Sequence, residues 1–141
     1  MKKLLTSILI ILATQAYCQP SLGIQYTTKG AGLDGGYKIN NTQVSVGYNV
    51  PITKNTIPNY TYLNIGQSFN VTNNDVWNTS ITPSVGIAHY HVMAAHEQIK
   101  DGFKPIYQLE IGRDCELGRF FISGGYSTIA WAGIGMRFYV N

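Results

Sequence analysis

No run of apolar residues in this sequence is long enough to cross a bilayer as a helix, which takes roughly 20 residues. The longest such run, Leu4 to Ala13, is already broken by Thr6 and Ser7. No stretch carries the 3.6-residue period of an amphipathic helix either, so helical bundles and helical membrane spans are both excluded. Cysteine is scarce, with only Cys18 and Cys115 in 141 residues. Charge is scarce too. Charged residues make up 12% of the chain and form no block of one sign, so nothing points to nucleic acid or to an acidic partner.

The beginning of the chain, "MKKLLTSILIILATQAYCQP", explains part of this pattern. Lys2 and Lys3 make a basic start, the apolar run follows, and Ala16 and Cys18 are small residues at −3 and −1 of a cleavage point before Gln19. That is the layout of a secretory signal peptide. Residues 1–18 are therefore expected to be a leader and 19–141 a single domain. Lipidation at Cys18 is disfavoured because Tyr17 and Gln15 are poor neighbours for it,. After cleavage Cys115 stands alone and no internal disulfide can form. A small secreted domain usually relies on such staples, so another source of stability is needed. Closure of a sheet into a ring within lipid would supply it.

The mature region is rich in Gly, Tyr, Thr, Val and Ile and alternates with a period of two, which is the strand signal. The pattern predicts eight strands: 22–28, 33–39, 43–52, 60–71, 79–93, 105–114, 120–126 and 129–140. An even number puts both ends of the domain on one side. The connections on that side, "NN", "TNNDVW" and "CELG", are short, whereas the two longest, Pro51–Asn59 and Ala94–Lys104, fall on the other. Outer-membrane barrels have the same asymmetry. The expected fold is all-β: an antiparallel up-and-down transmembrane β-barrel.

The faces of the strands sharpen the expectation. Val44, Val46, Tyr48 and Val50 alternate with Gln43, Ser45, Gly47 and Asn49. Tyr107, Leu109 and Ile111 alternate with Gln108, Glu110 and Gly112, and Ile134, Met136, Phe138 and Val140 with Gly133, Gly135, Arg137 and Tyr139. A soluble sheet would carry many Lys and Glu on its wet face. This one carries Gly, Ser, Thr, Asn and Gln, which suit a narrow lumen filled by side chains. Tyr26, Tyr37, Tyr48, Tyr60, Phe69, Trp77, Tyr126 and Phe138 stand near strand ends and are expected to form aromatic girdles.

The terminal segment "GMRFYV" places Gly135, Phe138 and Val140 at the spacing of a last-strand recognition signal. With the leader and the strand pattern, it makes the mature chain resemble the small eight-stranded outer-membrane barrels of Gram-negative bacteria, of OmpA/OmpX type. Val140 and Asn141 stand where many members have a terminal aromatic residue. The resemblance implies the cell outer membrane as location, and outer-membrane lipid and the barrel-insertion machinery as partners. A monomer without a cofactor is expected.

The chemistry-bearing residues are few. Alternation puts Asp34, Lys38, Glu110 and Arg137 on the inner face, where charges are costly unless paired. They are expected to form a lumen charge network, with Glu110–Arg137 as its central pair, in a structural rather than catalytic role. His89 and His91 share a face, and His96 follows in the next connection. The three are weak candidates for a metal site, because no signature of fixed spacing accompanies them. Their orientation is ambiguous: Val85 and Ile87 argue for the lipid side, Tyr90 and Val92 for the reverse. A lipid-modifying enzyme would need His89, His91 and Ser84 together at the rim. A soluble secreted barrel binding a small apolar ligand is the other alternative. The favoured expectation is a non-enzymatic barrel with a plugged lumen and a structural or surface-interaction role.

Overall fold

The computed structural model describes residues 18–52, 59–74, 77–91, 102–115 and 118–140. Residues 1–17, which are all but the last residue of the expected leader, and much of both long connections therefore lie outside the described residues. All described secondary structure is strand: β1 (Cys18–Thr27), β2 (Gly30–Ile39), β3 (Thr42–Val50), β4 (Asn59–Gln67), β5 (Phe69–Asn74), β6 (Trp77–His91), β7 (Gly102–Cys115), β8 (Gly118–Tyr126) and β9 (Ala130–Tyr139).

β4 and β5 are two halves of one stave, interrupted at Ser68, and both pair with β6. The ring thus has eight staves, each antiparallel to its neighbours, and β1 closes it by pairing with β9. The register fixes the geometry. A row of paired residues leaves the β4–β5 stave at Asn70. It passes through Ser80, Gly112, Phe121, Gly135, Gln25, Gly32 and Asn49, and returns to the same stave at Tyr60, ten residues away. That stagger goes with staves tilted by about 35–45° and with an interior just wide enough for side chains.

Local chemistry explains the turns. Asn40 adopts a left-handed φ of 53° between β2 and β3, a conformation Asn tolerates better than most residues. It allows a two-residue connection with Asn41,. At "TNNDVW" and "CELG" the strands run deeper than expected. β5 reaches Asn74 and β6 starts at Trp77, while β7 reaches Cys115 and β8 starts at Gly118. β1 begins at Cys18, one residue before the expected cleavage point.

The two faces are inverted relative to a soluble protein. Leu22, Ile24, Leu33, Val46, Leu63, Ile65, Val85, Ile87, Leu109, Ile122 and Ile134 all project outward and are exposed. Ser21, Gln25, Asp34, Asn49, Asn64, Thr82, Gln108, Glu110, Arg119 and Arg137 project inward and are buried. The alternation read in β3, β7 and β9 is the alternation observed.

Candidate functional site

The lumen is the place where chemistry-bearing side chains gather, and its contents change along the barrel axis. Near the end that carries the two long connections, Tyr60, Tyr62, Tyr90, Ile106 and Trp131 pack together with Ala88. The Tyr60 ring lies 5.1 Å from that of Tyr90 and 6.1 Å from that of Tyr62. Tyr60 was expected in an outer girdle. Its parity on β4 matches Tyr62 and Asn64, so it points inward and is only 3% exposed. The other girdle candidates Tyr26, Tyr37, Tyr48, Phe69, Tyr126 and Phe138 do face outward. The side chain of Trp77 lies outside the described residues.

Below the aromatic layer the lumen is polar. Gln25 Nε2 donates to the Tyr62 hydroxyl at 3.0 Å. Asn64 Nδ2 donates to Gln108 Oε1 at 3.0 Å, and Gln108 Nε2 donates to Glu110 Oε1 at 2.8 Å. Glu110 then meets Arg137, whose Nη1 and Nη2 donate to its two carboxylate oxygens at 3.0 and 3.2 Å. On its other side Arg137 donates from Nε and Nη2 to Asp34 at 3.2 and 3.5 Å. The remaining Nη1 proton goes to Gln43 Oε1 at 3.2 Å. All five N–H groups of a guanidinium are thereby directed at acceptors. Arg137, Asp34 and Glu110 are each 4% exposed or less, so this is a fully desolvated ion triad. Pairing is what makes such burial tolerable. The Phe121 ring lies over the guanidinium at 4.9 Å, in cation–π range.

Of the four expected network residues, three are brought together and one is not. Lys38 faces inward near the end of β2, with its Nζ 5.3 Å from the centre of the Tyr139 ring. A fifth residue, Arg119, was missed. It is 1% exposed and donates to Ser80 Oγ, to Ser80 O at 3.2 Å and to Thr82 Oγ1 at 3.3 Å, with Asp114 at 3.5 Å. Because "CELG" was read as a turn, the seventh strand was expected to begin at Phe120. Extending the parity of Ser123 and Phe121 back by two residues would have placed Arg119 inside.

Large inward side chains fit because glycines of neighbouring staves stand beside them. A Cβ on Gly47 would lie 2.3 Å from the Tyr62 ring, one on Gly135 2.3 Å from the Phe121 ring, and one on Gly112 2.3 Å from Arg119 Nε. A cavity of about 10 Å³ lies among Gln43, Ser45, Asn64, Gly66, Thr82, Ser84 and Glu110, about one water molecule at most. The larger concavity, about 1020 Å³, lies mainly along the outer wall, lined by apolar residues that include Ile24, Leu33, Phe120, Ile122, Ile134 and Met136.

His89 and His91 project outward, in phase with Val85 and Ile87, while Ala88 and Tyr90 point in. Ser84 faces the lumen, where its hydroxyl donates to Gln108 O at 3.4 Å, so it does not join the two histidines. His96 lies outside the described residues. Among the described residues no group of three or more His, Cys, Asp or Glu side chains is placed to hold a metal. Gly135 and Phe138 of the terminal segment lie within β9, which pairs with both β1 and β8. The backbone N–H of Val140 donates to Pro20 O at 2.9 Å.

No protein-family model matches the sequence, and no curated protein matches it. Among solved structures, one from the de novo design of transmembrane β-barrels is similar to it. That match has a TM-score of 0.54 at 14% identity and covers 87% of this chain and 94% of the other. The likeness is one of fold: this chain is a closed, eight-staved antiparallel barrel of the shape that transmembrane β-barrels take.

Proposed function

We propose that this protein is an integral barrel of the Gram-negative outer membrane, with a lumen plugged by its own side chains. Its role is structural or one of surface interaction, exercised through the connections around Pro51–Asn59 and Ala94–Lys104. The observation that carries the reading is the inversion of the two faces. Aliphatic side chains cover the outside and a buried ion triad occupies the inside. Water on the outer wall would leave most of that apolar surface unburied, far beyond the patches that soluble monomers tolerate. Hydrocarbon on the outer wall removes the penalty, and the closed ring satisfies the backbone there. A soluble barrel holding an apolar ligand needs the opposite arrangement. What supports the plug is the ion triad together with the aromatic layer, which set bulky side chains into the lumen at two levels.

Two measurements test this. The folded protein should fractionate with outer membranes and migrate faster before boiling than after. Reconstituted into a planar bilayer, it should show no stable conductance steps. A protein recovered folded and monodisperse from the soluble fraction would overturn the membrane reading, and steady single-channel currents would overturn the plug.

A further inference from the structure

The rim of the outer wall holds a group that the lumen reading does not use. His89 and His91 are two residues apart on β6 and share its outer face. Their rings meet edge-on with centroids 4.8 Å apart. Thr61 on β4 is the register partner of His89, yet its hydroxyl lies 2.9 Å from Nε2 of His91. The His91 ring therefore leans along the wall toward the Thr61–His89 row. Two imidazoles and a hydroxyl converge there, flanked by Phe103, 4.8 Å from the His89 ring, and by Tyr48, 6.4 Å from the His91 ring.

We propose that His89 and His91 form a surface chelate for a divalent first-row transition metal. Copper(II) is held most tightly and zinc next, with the Thr61 hydroxyl orienting His91 and water completing the coordination. The chemistry of the donors selects the ion. Imidazole suits copper, nickel and zinc, and affinity for such ligands peaks at copper(II). Calcium and magnesium require oxygen-rich sites, whereas the donors that converge here are two imidazoles and one hydroxyl. Two nitrogens bound to one ion at about 2.0–2.1 Å each stand about 3 Å apart. Rings already in edge contact reach that spacing by side-chain rotation alone. A chelate built on these two imidazole nitrogens leaves coordination positions open to water and exchangeable ligands. It lies by the end of the barrel where β3 and β4, and β6 and β7, are connected, within reach of water.

The test uses the untagged full barrel, refolded in detergent, stripped of metal and titrated with copper(II) chloride and with zinc chloride. Expected are one tight copper(II) per barrel with hyperfine coupling to two nitrogens, weaker zinc binding, and no response to magnesium or calcium. His89→Ala and His91→Ala should each weaken copper binding by at least about tenfold and remove one nitrogen coupling. Thr61→Val should weaken it less and keep both couplings, as an orienting partner does. All three positions lie on the outer face, and heat-shifted gel mobility verifies that each variant is folded. Copper binding unchanged in the double variant His89→Ala/His91→Ala, or a copper spectrum without nitrogen coupling in the parent protein, would overturn the proposal.

Discussion

Arg137 shows how a single side chain can organise a lumen. It holds two carboxylates that would otherwise be buried without a counter-charge, Asp34 on β2 and Glu110 on β7. Removing one partner of such a group leaves the rest stranded, which typically costs about 3–5 kcal/mol. Arg137→Ala is expected to lose that much stability in a urea titration of the folded barrel. Glu110→Ala/Arg137→Ala should recover part of it, because only Asp34 is then left unpaired, and strictly additive losses would refute the coupling. A different side chain sets a pH response. Lys29, in the turn between β1 and β2, is buried and hydrogen-bonded to the carbonyl of Ile129. Burial lowers its pKa from 10.5 to about 8. The charged form is thus disfavoured in the folded state, and the unfolded chain binds the proton more tightly. Stability carries the full cost below pH 8 and should rise as the pH moves from about 8 to 10.5. Lys29→Met should flatten that rise in the unfolding midpoint.

At the scale of the strand, most of the fold was legible because a period of two is hard to disguise. β3, β7 and β9 each alternate large apolar with small or polar residues, and a one-residue slip would invert them. The inner positions of Asp34, Glu110 and Arg137 follow from that parity alone. Their meeting point does not, because it depends on the stagger of the ring, which no local pattern encodes. Parity also failed where aromatic residues stand near a strand end. Tyr60 fits an outer girdle by type, yet it belongs to the inward row with Tyr62. Arg119 was hidden for a similar reason, since a charge beside a glycine looks like part of a turn. The glycines that admit large neighbours give a direct test. Gly47→Ala would push a methyl group to 2.3 Å from the Tyr62 ring and disturb its bond to Gln25. Overpacking of this kind costs about 1–3 kcal/mol. Tyr62→Leu in the same chain should relieve most of that loss, measured by the thermal transition of the folded band on a gel.

For the whole molecule, the decisive property is which solvent each wall meets. Ile65 stands near the middle of the stave formed by β4 and β5 and faces outward, whereas Ile39 faces outward at the end of β2, beside the Asn40–Asn41 turn. In a bilayer, Ile65→Arg should cost about 2–4 kcal/mol and Ile39→Arg about 0–1 kcal/mol, read from unfolding titrations in vesicles. Equal, negligible effects would mean that water touches both positions. The path of the chain around the ring carries a further consequence. Every seam but one joins staves that follow each other in sequence, and the exception brings β1 against β9. Arg137 reaches over that seam to Asp34, 103 residues away. A padlock of this kind can snap shut only after the two margins of the sheet have met. It should therefore leave the speed of assembly untouched and lengthen the lifetime of the finished ring, so a chain without it would fold on time and come apart early.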